Sequence, residues 1–105
     1  MAKYIKHNGA PAVLINKNES QRTGNISKIS ICNENPSQHG DTLVTIYLHD
    51  GNTANDINII KNLSLPPGVT LILEDNLSFN INIYSLKINT VHAGTGSVSL
   101  SIIIK

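Results

Sequence analysis

Apolar and polar positions alternate with a period of two along most of this 105-residue chain. Over residues 42–49, Val44, Ile46 and Leu48 fall on one side and Leu43, Thr45, Tyr47 and His49 on the other. That is the pattern of a strand with one buried and one mixed face. Over residues 97–105 the rule is plainer, with Val98, Leu100, Ile102 and Ile104 aligned against serines and Ile103. A strand that runs to the last residue must be tied into a sheet, so deleting its final five residues is expected to unfold or dissociate the protein.

Shorter strands are predicted over 12–16, over 26–33, where Ile29 and Ile31 oppose Ser30 and Cys32, and over 57–65, 69–74 and 84–89. The adjacent Ile59 and Ile60 mark either a bulge or a strand covered on both faces. Pro66-Pro67-Gly68 then ends that strand in a turn, because proline cannot donate to a ladder and glycine accepts positive φ. Residues 75–83 read as an irregular crossing anchored by Leu77 and Phe79, or as a single helical turn. No window of a dozen residues carries a helical period.

Turn signals at Asn8-Gly9, Thr23-Gly24-Asn25, 36–41, Asp50-Gly51-Asn52 and 93–96 divide the chain into about seven or eight strands. The expected fold is all-β, a small antiparallel β-sandwich of Ig-like or jelly-roll-like type. At 11.4 kDa there is material for one core, hence a single domain over 1–105, with 1–15 an N-terminal arm or an edge strand. Four aromatics leave that core aliphatic.

Composition sharpens this picture. Ile, Leu and Val number 31 and Asn, Ser and Thr also number 31, as two-faced strands require. Sixteen Ile and fourteen Asn point to an AT-rich genome. Charged residues are only 14% and the net charge is +1, which offers no electrostatic footprint for nucleic acid or an anionic membrane. A surface so poor in ions is buried against partners with little desolvation cost. The longest apolar runs are far shorter than the roughly 20 residues of a spanning helix, and the N-terminus lacks the apolar stretch of a secretory leader. Four Asn-x-Ser acceptors, at Asn18, Asn25, Asn62 and Asn76, are expected by chance in so Asn-rich a chain.

Candidate chemistry is sparse. His39-Gly40-Asp41 and His49-Asp50 each set a carboxylate near an imidazole, but the strand between them places the pairs roughly 25 Å apart, too far to share one ion. His7 and His92 read as solvated loop residues. Cys32 has no partner for a disulfide or a zinc site and reads as a small buried hydrophobe. Glu74-Asp75, with Asn76, fits a strand end better than a calcium loop. Gly94-Thr95-Gly96 reads as a hairpin loop, since no helix follows to cradle a phosphate. No Gly-x-Ser-x-Gly occurs. No catalytic, cofactor or metal residues are expected. Tyr47 is the outward aromatic, and the Leu43, Thr45, Tyr47 strip meets either a second sheet or a neighbouring subunit. A glycan-binding module, with Tyr47 stacking on a sugar, is the alternative from another class.

The C-terminal half contains the run Ile59-Ile60-Lys61-Asn62-Leu63-Ser64-Leu65-Pro66-Pro67-Gly68-Val69-Thr70-Leu71-Ile72-Leu73-Glu74, then Leu77-Ser78-Phe79 and Tyr84-Ser85-Leu86-Lys87-Ile88. Ahead of it stand Ile29-Ser30-Ile31-Cys32-Asn33 and Tyr47-Leu48-His49-Asp50-Gly51. In this order the segments resemble small virion structural proteins of tailed bacteriophages, of the marine cyanophage and pelagiphage type. The resemblance spans residues 26–104 and implies a non-enzymatic virion component, assembled in the host cytoplasm. The expected role is a capsid decoration or cement protein, with a neck or tail protein as the alternative. Its partners would be the major capsid protein or other virion proteins and further copies of itself, with no nucleic acid or membrane. The contact residues expected are Tyr4, Ile5, Val13, Leu14 and Ile15 of the N-terminal arm and Leu43, Thr45 and Tyr47 of the central strip.

Overall fold

A computed structural model describes residues 2–9, 11–19, 24–35, 40–74, 76–92 and 98–105. These residues hold ten strands: β1 (Lys3–His7), β2 (Ala12–Ile15), β3 (Asn25–Ile26), β4 (Ile29–Asn33), β5 (Thr42–Asp50), β6 (Asn55–Leu65), β7 (Thr70–Leu73), β8 (Leu77–Ser78), β9 (Tyr84–His92) and β10 (Leu100–Ile104). One sheet has the order β1-β10-β4-β7, the other β2-β9-β5-β6, and β3 pairs with β8 in a two-stranded ribbon. Every pairing is antiparallel.

The order is nested. The first long strand pairs with the last (β1 with β10), β2 with β9, β4 with β7, and β5 with β6. A long hairpin rolled on itself produces this order, which makes the sandwich a jelly roll and sets aside the Ig-like alternative. The count exceeds the seven or eight strands expected, because β3 and β8 are two residues each and too short to show a period.

The alternation places the core as the sequence implies. Val44, Ile46 and Leu48 of β5, Ile29 and Ile31 of β4, Leu86 and Ile88 of β9, and Leu100, Ile102 and Ile104 of β10 are all buried between the sheets, with Val98. Residues 76–83 cross irregularly, as one of the two readings had it: Leu77 and Phe79 pack against the core, and the chain turns at 81–83. Asp75 lies outside the described residues. At Pro66-Pro67-Gly68 the Val69 N–H donates to the Pro66 carbonyl (3.2 Å) with Gly68 at φ 79°, a type II turn. Asn33 fastens this turn: its Nδ2 donates to the Leu65 carbonyl (2.8 Å), and its backbone exchanges bonds with Gly68 and Val69.

Two strands depart from plain alternation. On β2, Val13 pairs with Lys87 and Ile15 with Leu86, so Leu14 is an extra residue and the bulge turns both Leu14 and Ile15 inward. On β6, Val44 pairs with Leu63, Ile46 with Ile60 and Tyr47 with Asn58, so β6 has two extra residues. Of the two readings of Ile59-Ile60, the bulge is the one realised. Asn62 takes φ 51° there, and Thr45 holds it: the Asn62 N–H donates to Thr45 Oγ1 (3.0 Å), which donates in turn to Asn62 Oδ1 (3.3 Å).

Candidate functional site

Cross-strand register sorts the expected contact residues onto two outward faces. Residues 3–7 and 12–15 form rim strands, one in each sheet, so the N-terminal segment is part of the sandwich and not an arm reaching away from it. On the β1-β10-β4-β7 sheet, Tyr4 stands opposite Ile103, Ile103 opposite Ser30, and Ser30 opposite Ile72. This row crosses all four strands. Tyr4 is 73% exposed and Ile72 49%. The next row, Lys6, Ser101, Cys32 and Thr70, is polar apart from the cysteine. In it Glu34 accepts from Lys6 (2.6 Å) and from Ser101, which hold its carboxyl below the usual carboxylate range. Cys32 is half-buried on this outward face and not in the core as expected.

On the β2-β9-β5-β6 sheet, Val13, Lys87, Tyr47 and Asn58 share one row, and Val91, Leu43 and Ser64 another. Val13 and Val91 are exposed, while Leu43, Thr45 and Tyr47 are half-buried. Burial, with the Asp56 carboxylate nearby, pushes the Tyr47 phenol up. Thr45 already holds the β6 bulge. Leu14 and Ile15 are fully buried and Ile5 packs against the core, so none of these three presents the open surface the sequence suggested. Tyr4, Val13, Leu43 and Tyr47 remain, joined by Ile72, Ile103 and Val91. Alternation had already set Ile103 outward, but these last three were not among the expected contacts, because only cross-strand register shows which outward aliphatics share a row with Tyr4 or Leu43.

The histidines scatter. His7 lies in β1, is buried, and has Nε2 3.2 Å from Thr90 Oγ1, whose hydroxyl donates to the Gly9 carbonyl (3.3 Å). With that hydrogen engaged, His7 Nε2–H donates to Thr90, and burial lowers the imidazole below its ordinary 6.5. His92 ends β9, half-buried, 3.1 Å from the Thr42 hydroxyl. Neither is the solvated loop residue expected. His49 pairs with Asp56 across the β5–β6 hairpin (2.6 Å) and not with Asp50. The Asp50 carboxylate accepts from Asn52 N and Thr53 Oγ1, which lower its pKa and close the turn. His39 and the Gly94-Thr95-Gly96 loop lie outside the described residues. Among the described residues no three His, Cys, Asp or Glu side chains gather where they could hold a metal ion. Among the described residues no helix is long and apolar enough to cross a membrane.

Neither a protein-family model nor a curated protein matches the chain. Among solved structures, it is similar over 98% of its length to a chain in the crystal structure of the T13 IBDV viral particle, with a TM-score of 0.52 and 14% identity. It spans 30% of that chain. Chains from the Gx and Gt strains of infectious bursal disease virus align over 99% of this one, at 12% and 16% identity and TM-scores of 0.42 and 0.37. This chain spans 29% and 30% of their lengths. At such identities the likeness to the T13 particle chain is one of fold.

Proposed function

We propose that this protein is a non-enzymatic structural component of a virus particle, of the tailed-bacteriophage kind its sequence resembles, and that it decorates or cements the head lattice. The observation that carries this reading is the fold, a nested jelly roll that over 98% of its length is similar to part of a chain of a viral particle. Outward apolar residues on both sheets and a 14% charged composition suit a body that adheres through many repeated contacts. A small rigid sandwich repeated on a symmetric shell adds stability by mass action, each copy contributing a weak interface.

Quantitative mass spectrometry of purified particles, referenced to the major capsid protein, tests this. The decoration role predicts copies on the order of hundreds per particle, while about a dozen or fewer would move the protein to the neck or tail. Its absence from particles would overturn the virion reading altogether.

A further inference from the structure

Four strands lie at the rims of the two sheets: β1, β7, β2 and β6. Rim strands invite pairing with other chains, and most carry a guard against it. Here β1 contains Lys3 and Lys6, β2 follows Pro11 and is bulged, and β6 carries two register shifts with Lys61 and Asp56. β7 is different. From Val69 to Leu73 it has no charge, no proline and an unbroken register with β4.

The hydrogen-bonding atoms say what would cover it. Asn33 N donates to the Val69 carbonyl (3.0 Å), so by antiparallel alternation residues 69, 71 and 73 face β4. Thr70 and Ile72 therefore turn their N–H and C=O groups off the open rim. Apolar surface flanks them: Val69 is 43% exposed and Ile72 49%. Along the β6 rim, to which the 66–69 turn connects β7, the inward-facing Ile57 and Leu63 are also left open. The occupant such a rim fits is an uncharged, apolar β-strand.

β7 itself meets that description. A two-fold axis through Leu71 sets Thr70 opposite the partner's Ile72 and Ile72 opposite the partner's Thr70. Outward residues then meet outward residues, and each of these pairs exchanges two backbone hydrogen bonds. Leu71 meets its own copy, and the nearest charge, Glu74, stands opposite the partner's Gly68. The same operation through Ile5 of β1 would set Lys3 against the partner's His7 and crowd four lysines along one seam. Charge therefore selects β7. We propose that two copies of this chain join β7 to β7, antiparallel about an axis through Leu71, to form one continuous eight-stranded sheet. The outward row from Tyr4 to Ile72 then continues into the row that ends at the partner's Thr70. This pairing requires no particle, so it stands or falls apart from the virion reading.

Sedimentation velocity of the full chain from about 1 µM to about 1 mM tests it. A concentration-dependent dimer is expected. Ile72→Lys, which puts a cation in the seam, and Thr70→Pro, which removes a rim-facing N–H while leaving the β4 ladder intact, should each weaken it by about tenfold or more. Tyr4→Lys, on the opposite rim of the same sheet, should leave it unchanged. Far-UV circular dichroism checks each variant's fold, and Val69→Lys replaces either β7 variant that loses its strand signature. A wild-type monomer throughout, a closed assembly other than a dimer, a dimer that survives the β7 variants, or one abolished by Tyr4→Lys overturns the proposal.

Discussion

β5 and β6 are partners in one hairpin and read alike in sequence, each with an aliphatic residue at almost every inward position. Their environments differ sharply. On β5 the inward Val44 and Ile46 are fully buried and Leu48 nearly so, whereas on β6 Ile57 remains 48% and Leu63 37% exposed. The cause is their place in the sheet. β5 lies between β9 and β6, while β6 is terminal and has a neighbouring strand on one side only. Alternation therefore assigns a residue to a face, and the neighbouring strands decide whether that face is covered.

The largest expected effect tests this contrast directly. Ile46→Ala removes a side chain with no exposure and should destabilise the fold by about 2–5 kcal/mol, whereas Ile57→Ala on the rim should cost under about 1 kcal/mol. Urea unfolding followed by far-UV circular dichroism separates the two, and equal losses would break the comparison. The next effect lies where two segments pass too closely for any side chain. A Cβ on Gly24 would collide with the Phe79 carbonyl, which sits against it because Phe79 N donates to Gly24 O (2.8 Å). Gly24→Ala should cost about 1–3 kcal/mol in the same assay. A neutral result would mean that the 24–26 and 77–79 segments are not fastened to each other.

Gly24 also shows where the sequence stopped being informative. It sits in a recognisable turn signal, Thr23-Gly24-Asn25, but its task is to admit a backbone fifty-five residues away, and no local pattern encodes that. The inward faces of β4, β5, β9 and β10 were legible because a period of two is a local property. Strand order was not, since it follows from pairings between distant segments, and with it went the distinction between jelly roll and Ig-like sandwich. The contact surface suffered most. Leu14 and Ile15 look like an exposed apolar run until the β2 bulge turns both inward, and His7 looks like a loop residue until β1 is placed beside β10. Ile72 falls opposite Leu71 and Leu73 by alternation, but nothing local shows that its face is left open.

His7 sharpens the comparison from the opposite rim, for it is buried although β1 is terminal. Its folded pKa lies below the unfolded 6.5, so the unfolded chain takes the proton first. Stability from this residue is therefore complete above 6.5 and lost as the pH falls through the folded value. Thermal melts from about pH 7.5 to about pH 5 should show the decline, and His7→Gln should flatten it. An identical slope in the variant would assign the decline to other groups. A smaller effect is expected from Thr45→Val, which removes the hydroxyl that holds Asn62 in the β6 bulge and should cost about 1 kcal/mol. Amide shifts at Asn62 and Lys61 should move while those of β9 stay in place; shifts spread over β9 would mean the bulge is set by the whole sheet.

The smallest effect concerns the turn that the two compared strands share. Ala54 closes the 51–54 turn at φ 57°, a left-handed conformation that disfavours an L-residue by about 1–2 kcal/mol. Glycine relieves that strain but adds back part of it as unfolded-state freedom, about 0.5–1 kcal/mol. Ala54→Gly should therefore stabilise the protein by about 0.5 kcal/mol, and Ala54→Val should destabilise it, both read from urea midpoints. Because the turn fixes the register of β5 and β6 together, these shifts should appear equally in probes on either strand. A change felt only on β6 would mean that the rim strand opens independently of its buried partner, and the difference between them would then be one of cooperativity as well as of cover.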